Sequence, residues 1–83
     1  MKGPKLRQVL EDLGFLVFID EHTQRGRFVR HADGRPLAFY DMTEDGAFRH
    51  GWVEHERGNG RTDCIDWPTF YNVVTHRNAG ATP

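Results

Sequence analysis

The stretch FVRHADGRPLAFYDMTEDGAFRHGWVEH, residues 28–55, decides the fold, because two Asp-Gly pairs punctuate runs of apolar and aromatic residues. Asp and Gly tolerate the positive φ of tight turns, so Asp33-Gly34 and Asp45-Gly46 each predict a hairpin with a fixed register. A two-residue turn at 33 and 34 sets Phe28 opposite Phe39. A similar turn at 45 and 46 sets Phe39 opposite Trp52 and Asp41 opposite His50.

Upstream, FLVFID and GRFVR are also rich in β-branched and aromatic residues. With PLAFYD and AFRHGWVEH they predict four strands, at roughly 15–21, 26–32, 36–42 and 47–56. The first connection, EHTQRG, is a weaker turn signal. If its register matches the others, Ile19 joins Phe28, Phe39 and Trp52 in one ladder across the sheet.

The flanks change period. Leu6, Val9, Leu10 and Leu13 fall at helical spacing, with Pro4 suited to a first turn and Gly14 to a stop. Trp67, Phe70, Tyr71 and Val74 share a second helical face, with Asp66 as N-cap and Pro68 in the first turn. The expected fold is therefore α+β: an N-terminal helix, a four-stranded antiparallel meander and a C-terminal helix. Residues 1–77 form a single compact domain, and 78–83 a frayed tail.

The register also predicts two faces. One carries the Ile19, Phe28, Phe39 and Trp52 ladder with Phe15, Val17, Leu37 and Phe48, and is assigned to both helices. The other carries Phe18, Val29, Ala38 and Val53 with Leu16, Tyr40 and Met42, and is also apolar. Four strands span about 15–20 Å and a helix covers about 10 Å, so two helices cover one face only. On this reading Phe39→Ala and Trp52→Ala unfold the chain, whereas Tyr40→Ala spares folding.

Composition narrows the function. Eleven basic and twelve acidic residues in a chain of 83 give a formal charge of -1, which disfavours bulk attraction to nucleic acid or to an anionic membrane. The lone Cys64 suits a reducing compartment, and the charged N-terminus has neither a signal peptide's apolar run nor a membrane span, so a cytoplasmic location is expected. His31, His50 and His55 alternate between faces and do not converge, so no metal site or cofactor is expected. Asp41 and His50 read as an ordinary cross-strand pair, because a dyad also needs a nucleophile and Cys64 is the sole candidate. No catalytic residues are expected.

What remains is binding. An uncovered apolar face points to an interface, with Phe18, Arg27, Val29, Tyr40, Arg49 and Val53 as the expected contact residues. The loop Arg57, Gly58, Asn59, Gly60 and Arg61 is a candidate anion site, since its glycines free backbone N–H groups and its arginines add charge. The expectation is a small non-catalytic interaction module, such as a bacterial or bacteriophage accessory or inhibitor protein, binding a partner protein or a second copy. The alternative is a single-stranded nucleic-acid platform in which Phe18 and Tyr40 stack bases beside Arg27 and Arg49.

Overall fold

The computed structural model describes residues 5–55 and 60–80, with side chains to 76. Helix α1 (Leu6–Asp12) is followed by strands β1 (Leu16–Ile19), β2 (Gly26–Arg30), β3 (Pro36–Met42), β4 (Phe48–Glu54) and β5 (Arg61–Cys64), then by helix α2 (Trp67–Gly80). The strands form one antiparallel sheet in chain order. The architecture is α+β, with five strands where the sequence predicts four. The fifth, RTDC, is polar and lacks an apolar alternation; it exists because β4 supplies a pairing edge, on which Asp63 meets Trp52 and Thr62 meets Val53.

Local chemistry sets both helices. In α1 only Leu6 and Leu10 of the predicted stripe are buried; Val9 is half-buried and Leu13 lies past the last turn. Asp66 caps α2 as expected, its Oδ1 accepting the Thr69 N–H at 2.9 Å, and this bond holds its carboxyl below the usual range. The backbone of α2 runs on to Gly80, through residues 78–80 of the expected tail.

The hairpins contain two compensating irregularities. His31 N–H bonds to Arg35 O at 2.8 Å, and Thr43 N–H bonds to Ala47 O at 2.8 Å. Each loop therefore has three residues rather than two, with Gly34 and Gly46 at φ +94° and +88° in the left-handed position that such a loop requires. A longer loop slips the register by one residue. A bulge then restores it in each hairpin: Leu37 is the extra residue in β3, and Arg49 the extra residue in β4. Phe28 opposite Phe39, Phe39 opposite Trp52 and Asp41 opposite His50 are all present, by a route different from the predicted turns.

The first hairpin does not have the expected register. Phe18, not Ile19, lies opposite Phe28, and Val17 opposes Val29. Because strand side chains alternate, that single residue moves Phe18 onto the ladder and Val17 into the row of Val29, Ala38 and Val53.

This second row is the covered one, which corrects the predicted assignment of faces. Val29, Tyr40 and Val53 are at most 1% exposed, and they share one buried cluster with Leu6 and Leu10 of α1 and Phe70 and Val74 of α2. The bulges send Leu37 and Phe48 to the same side, where Phe48 and Tyr40 pack against Phe70 at 5.2 and 5.5 Å between ring centroids. Tyr40 is central. Opposite it sits Gly51, where an added Cβ would fall 2.6 Å from Phe39 O and 2.9 Å from the Tyr40 Cβ, so β4 can approach β3 this closely only with glycine there.

The Tyr40 hydroxyl is buried and has no hydrogen-bond partner among the described residues. Burial pushes its pKa up to about 12, with Arg27 and Arg7 opposing and Glu11 adding to the shift. The native state thus holds this proton more tightly than the unfolded chain, whose tyrosine titrates near 10. Its contribution to stability is intact below pH 10 and is lost as pH rises from 10 towards 12. Denaturant titrations should show Tyr40→Ala losing about 3–5 kcal/mol, the range for a large buried aromatic, so that the earlier expectation for this residue is reversed. Tyr40→Phe removes an unsatisfied group and should gain about 1 kcal/mol while flattening the decline above pH 10. A loss of stability in Tyr40→Phe would show that the hydroxyl has a partner.

Candidate partner-binding surface

With both helices on the Tyr40 side, the opposite face carries a row of four aromatic rings, one from each of β1 to β4. Phe18 is 49% exposed and Phe28 41%, while Phe39 and Trp52 are half-buried by their neighbours. Ring centroids lie 5.0 Å apart for Phe28 and Phe39 and 5.9 Å apart for Phe39 and Trp52. The row ends at Arg61, whose guanidinium carbon sits 4.0 Å from the Trp52 ring centroid in a cation–π contact.

Gly26 lets the rings settle onto the sheet. A Cβ there would lie 2.6 Å from Cζ of Phe39, so the Phe39 ring occupies the space that any side chain at 26 would need. Two shallow grooves flank the row. One is lined by Thr23, Arg25, Asp41 and Arg49 beside Phe39, the other by Arg30, Pro36 and Glu54 between Phe28 and Trp52. Charge on the face is balanced locally: Arg49 pairs with Asp41 at 3.1 Å and Arg25 with Glu44 at 3.3 Å. These are exposed pairs that set polarity more than stability.

The structure divides the predicted contact residues. Phe18 and Arg49 lie on the uncovered face. Val29, Tyr40 and Val53 are core residues, and Arg27 projects from the helix-covered side, its Nη1 donating to Gln24 O at 3.1 Å and Gly26 O at 3.0 Å. Of the predicted anion loop, Arg57, Gly58 and Asn59 lie outside the described residues. Gly60 O accepts the His55 N–H at 2.8 Å, and Arg61 is committed to Trp52. Phe28, Phe39 and Trp52 take their places on the surface. One signal in the sequence pointed there: the slender Val29, Ala38, Val53 row, whose small side chains suit the side that shares its core with the helices.

Groups with chemical potential are dispersed. Asp41, although opposite His50, accepts the Arg49 Nη1–H on Oδ2 and the Met42 N–H on Oδ1 at 3.0 Å. Cys64 belongs to the helix-covered side, 1% exposed, and burial raises its thiol pKa, with the Asp63 and Asp66 carboxylates adding to the effect. Among the described residues, no three of His, Cys, Asp and Glu gather as metal ligands, and no helix is long and apolar enough to cross a membrane. No protein-family model, curated protein or solved structure matches the chain.

Cys64 provides a check on this placement. In native protein near neutral pH it should react with a thiol reagent many times more slowly than in denatured protein, because it is both inaccessible and protonated. Equal rates in the two states would take it out of the core.

Proposed function

We propose that this chain is a binding module without chemistry of its own, which receives an apolar surface of a partner protein on the Phe18, Phe28, Phe39 and Trp52 row. The observation that carries the reading is that both helices share one sheet face, leaving four aromatic rings side by side on the other. Aromatic side chains with arginines at their rim are the residues that dominate binding energy at protein interfaces. Arg61 over Trp52 and the Arg25 and Arg49 ion pairs fit that description. Such a module belongs with accessory and inhibitor proteins, which act by occupying a surface rather than by turning over a substrate.

A second reading rests on one specific feature, the arginines interleaved with exposed rings. Single-stranded nucleic acid would stack bases on Phe18 and Phe28 and place phosphates near Arg30, Arg49 and Arg61. The Tyr40 and Arg27 pair expected from the sequence is not available for this role, since one is buried and the other lies across the sheet. Paired carboxylates on the same face weigh against it.

Immobilised protein exposed to lysate of its source cells tests the first reading. Partners retained by the natural chain should be weakened about tenfold or more by Phe28→Ser or Phe39→Ser, and retained by Ile65→Ser, which alters an exposed residue outside the row. Retention unchanged by either row substitution would remove the proposal. An oligothymidylate titration followed by Trp fluorescence separates the second reading: binding that weakens with salt and with Arg49→Ala and Arg61→Ala would replace protein by nucleic acid as the ligand.

A further inference from the structure

The two rims of the sheet differ in a way that the aromatic face does not explain. At one rim β5 reads Arg-Thr-Asp-Cys, with Arg61, Thr62 and Asp63 exposed, and charge on an edge strand is how proteins discourage further strand pairing. At the other rim β1 reads Leu-Val-Phe-Ile, without a charge. Six large apolar side chains are exposed among the described residues, and five gather here: Leu13, Leu16, Phe18 and Ile19, with Phe28 beside Phe18. Ile19 points towards the helix-covered side yet is 45% exposed, so the helices stop short of this rim.

Among the described residues, no strand pairs with the outer side of the β1 backbone. Asp20 N–H bonds to Gly26 O at 2.9 Å, which fixes the alternation of the antiparallel ladder: Phe18 and Leu16 bond inward to Phe28 and Arg30. The N–H and C=O groups of Val17 and Ile19 therefore point away from β2, and among the described residues β2 is the only strand beside β1.

We propose that β1 pairs antiparallel with β1 of a second copy, joining two five-stranded sheets into one. The free groups dictate the register. Val17 of each copy bonds with Ile19 of the other, which satisfies both outward residues, and the two Phe18 residues meet on the two-fold axis as a non-bonded pair. A second copy suits this rim because the sequence about Phe18 is self-complementary. Val17 and Ile19 meet each other on one side of the sheet, Phe18 meets Phe18 on the other, and no like charges come together. Asp20, the nearest carboxylate, is turned into its own loop, accepting the His22 N–H at 3.0 Å and the Thr23 hydroxyl at 3.3 Å. The assembly extends the aromatic row through its twin without covering it, so the inference stands on the edge and does not depend on what occupies the face.

Light scattering after size exclusion, over a range of concentrations, should give twice the chain mass of 9.6 kDa. Ile19→Pro deletes an outward N–H while leaving the β1–β2 bonds intact, and should give the single-chain mass. Phe18→Lys puts two like charges on the axis and should do the same, which serves if the proline variant fails to fold by circular dichroism. Under mild oxidation Phe18→Cys should form a disulfide-linked dimer, since a non-bonded antiparallel pair brings Cα atoms to about 4.5 Å, within disulfide range. Phe39→Cys should not. A single-chain mass at every concentration overturns the proposal. So does a dimer that survives both edge substitutions, or one that Phe39→Cys cross-links in place of Phe18→Cys, which would put the contact on the aromatic face.

Discussion

In a sheet with apolar residues on both sides, a shift of one residue in register exchanges inside for outside. Here that register is held by a pair of opposed irregularities in each Asp-Gly hairpin: a three-residue loop that slips the strands by one and a bulge, at Leu37 or Arg49, that slips them back. Everything else depends on this cancellation. It keeps Phe28, Phe39 and Trp52 in line across three strands, and it adds Leu37 and Phe48 to the core, where strict alternation would have left them outside. Tyr40 then falls opposite Gly51, where the absence of a Cβ lets β4 approach β3 closely.

Much of this was legible from residue types. The two helices follow from apolar spacing, the Asp66 cap from its position before Trp67, and the centre of the meander from the two Asp-Gly pairs. Strand β5 was not legible, because RTDC has one buried side chain and owes its conformation to the edge of β4 rather than to its own pattern. The first hairpin was ambiguous for the opposite reason. LVFI is apolar at every position, so alternation offers no choice between Phe18 and Ile19 as the partner of Phe28.

The same ambiguity reversed the candidate surface. Both rows of the sheet are apolar, and size alone suggests that the larger side chains belong inside. The structure buries the slender row instead: Val29, Ala38 and Val53 share one cluster with residues of both helices, and Tyr40 reaches Phe70 from the same side. The bulky ladder is then left to solvent, braced by stacking between neighbours and by Arg61 on Trp52. The proposed function follows from that division: a buried core shared with both helices on one side, and on the other a row of four aromatic rings.

The central claim is which face is outside, and the most direct measurement is solvent paramagnetic relaxation of assigned aromatic ring protons by NMR with a soluble gadolinium chelate. The account predicts strong relaxation for Phe18 and Phe28, intermediate values for Phe39 and Trp52, and almost none for Tyr40 and Phe70. Strong relaxation of Tyr40 with protection of Phe28 would mean that the helices cover the ladder and that the register is displaced by one residue.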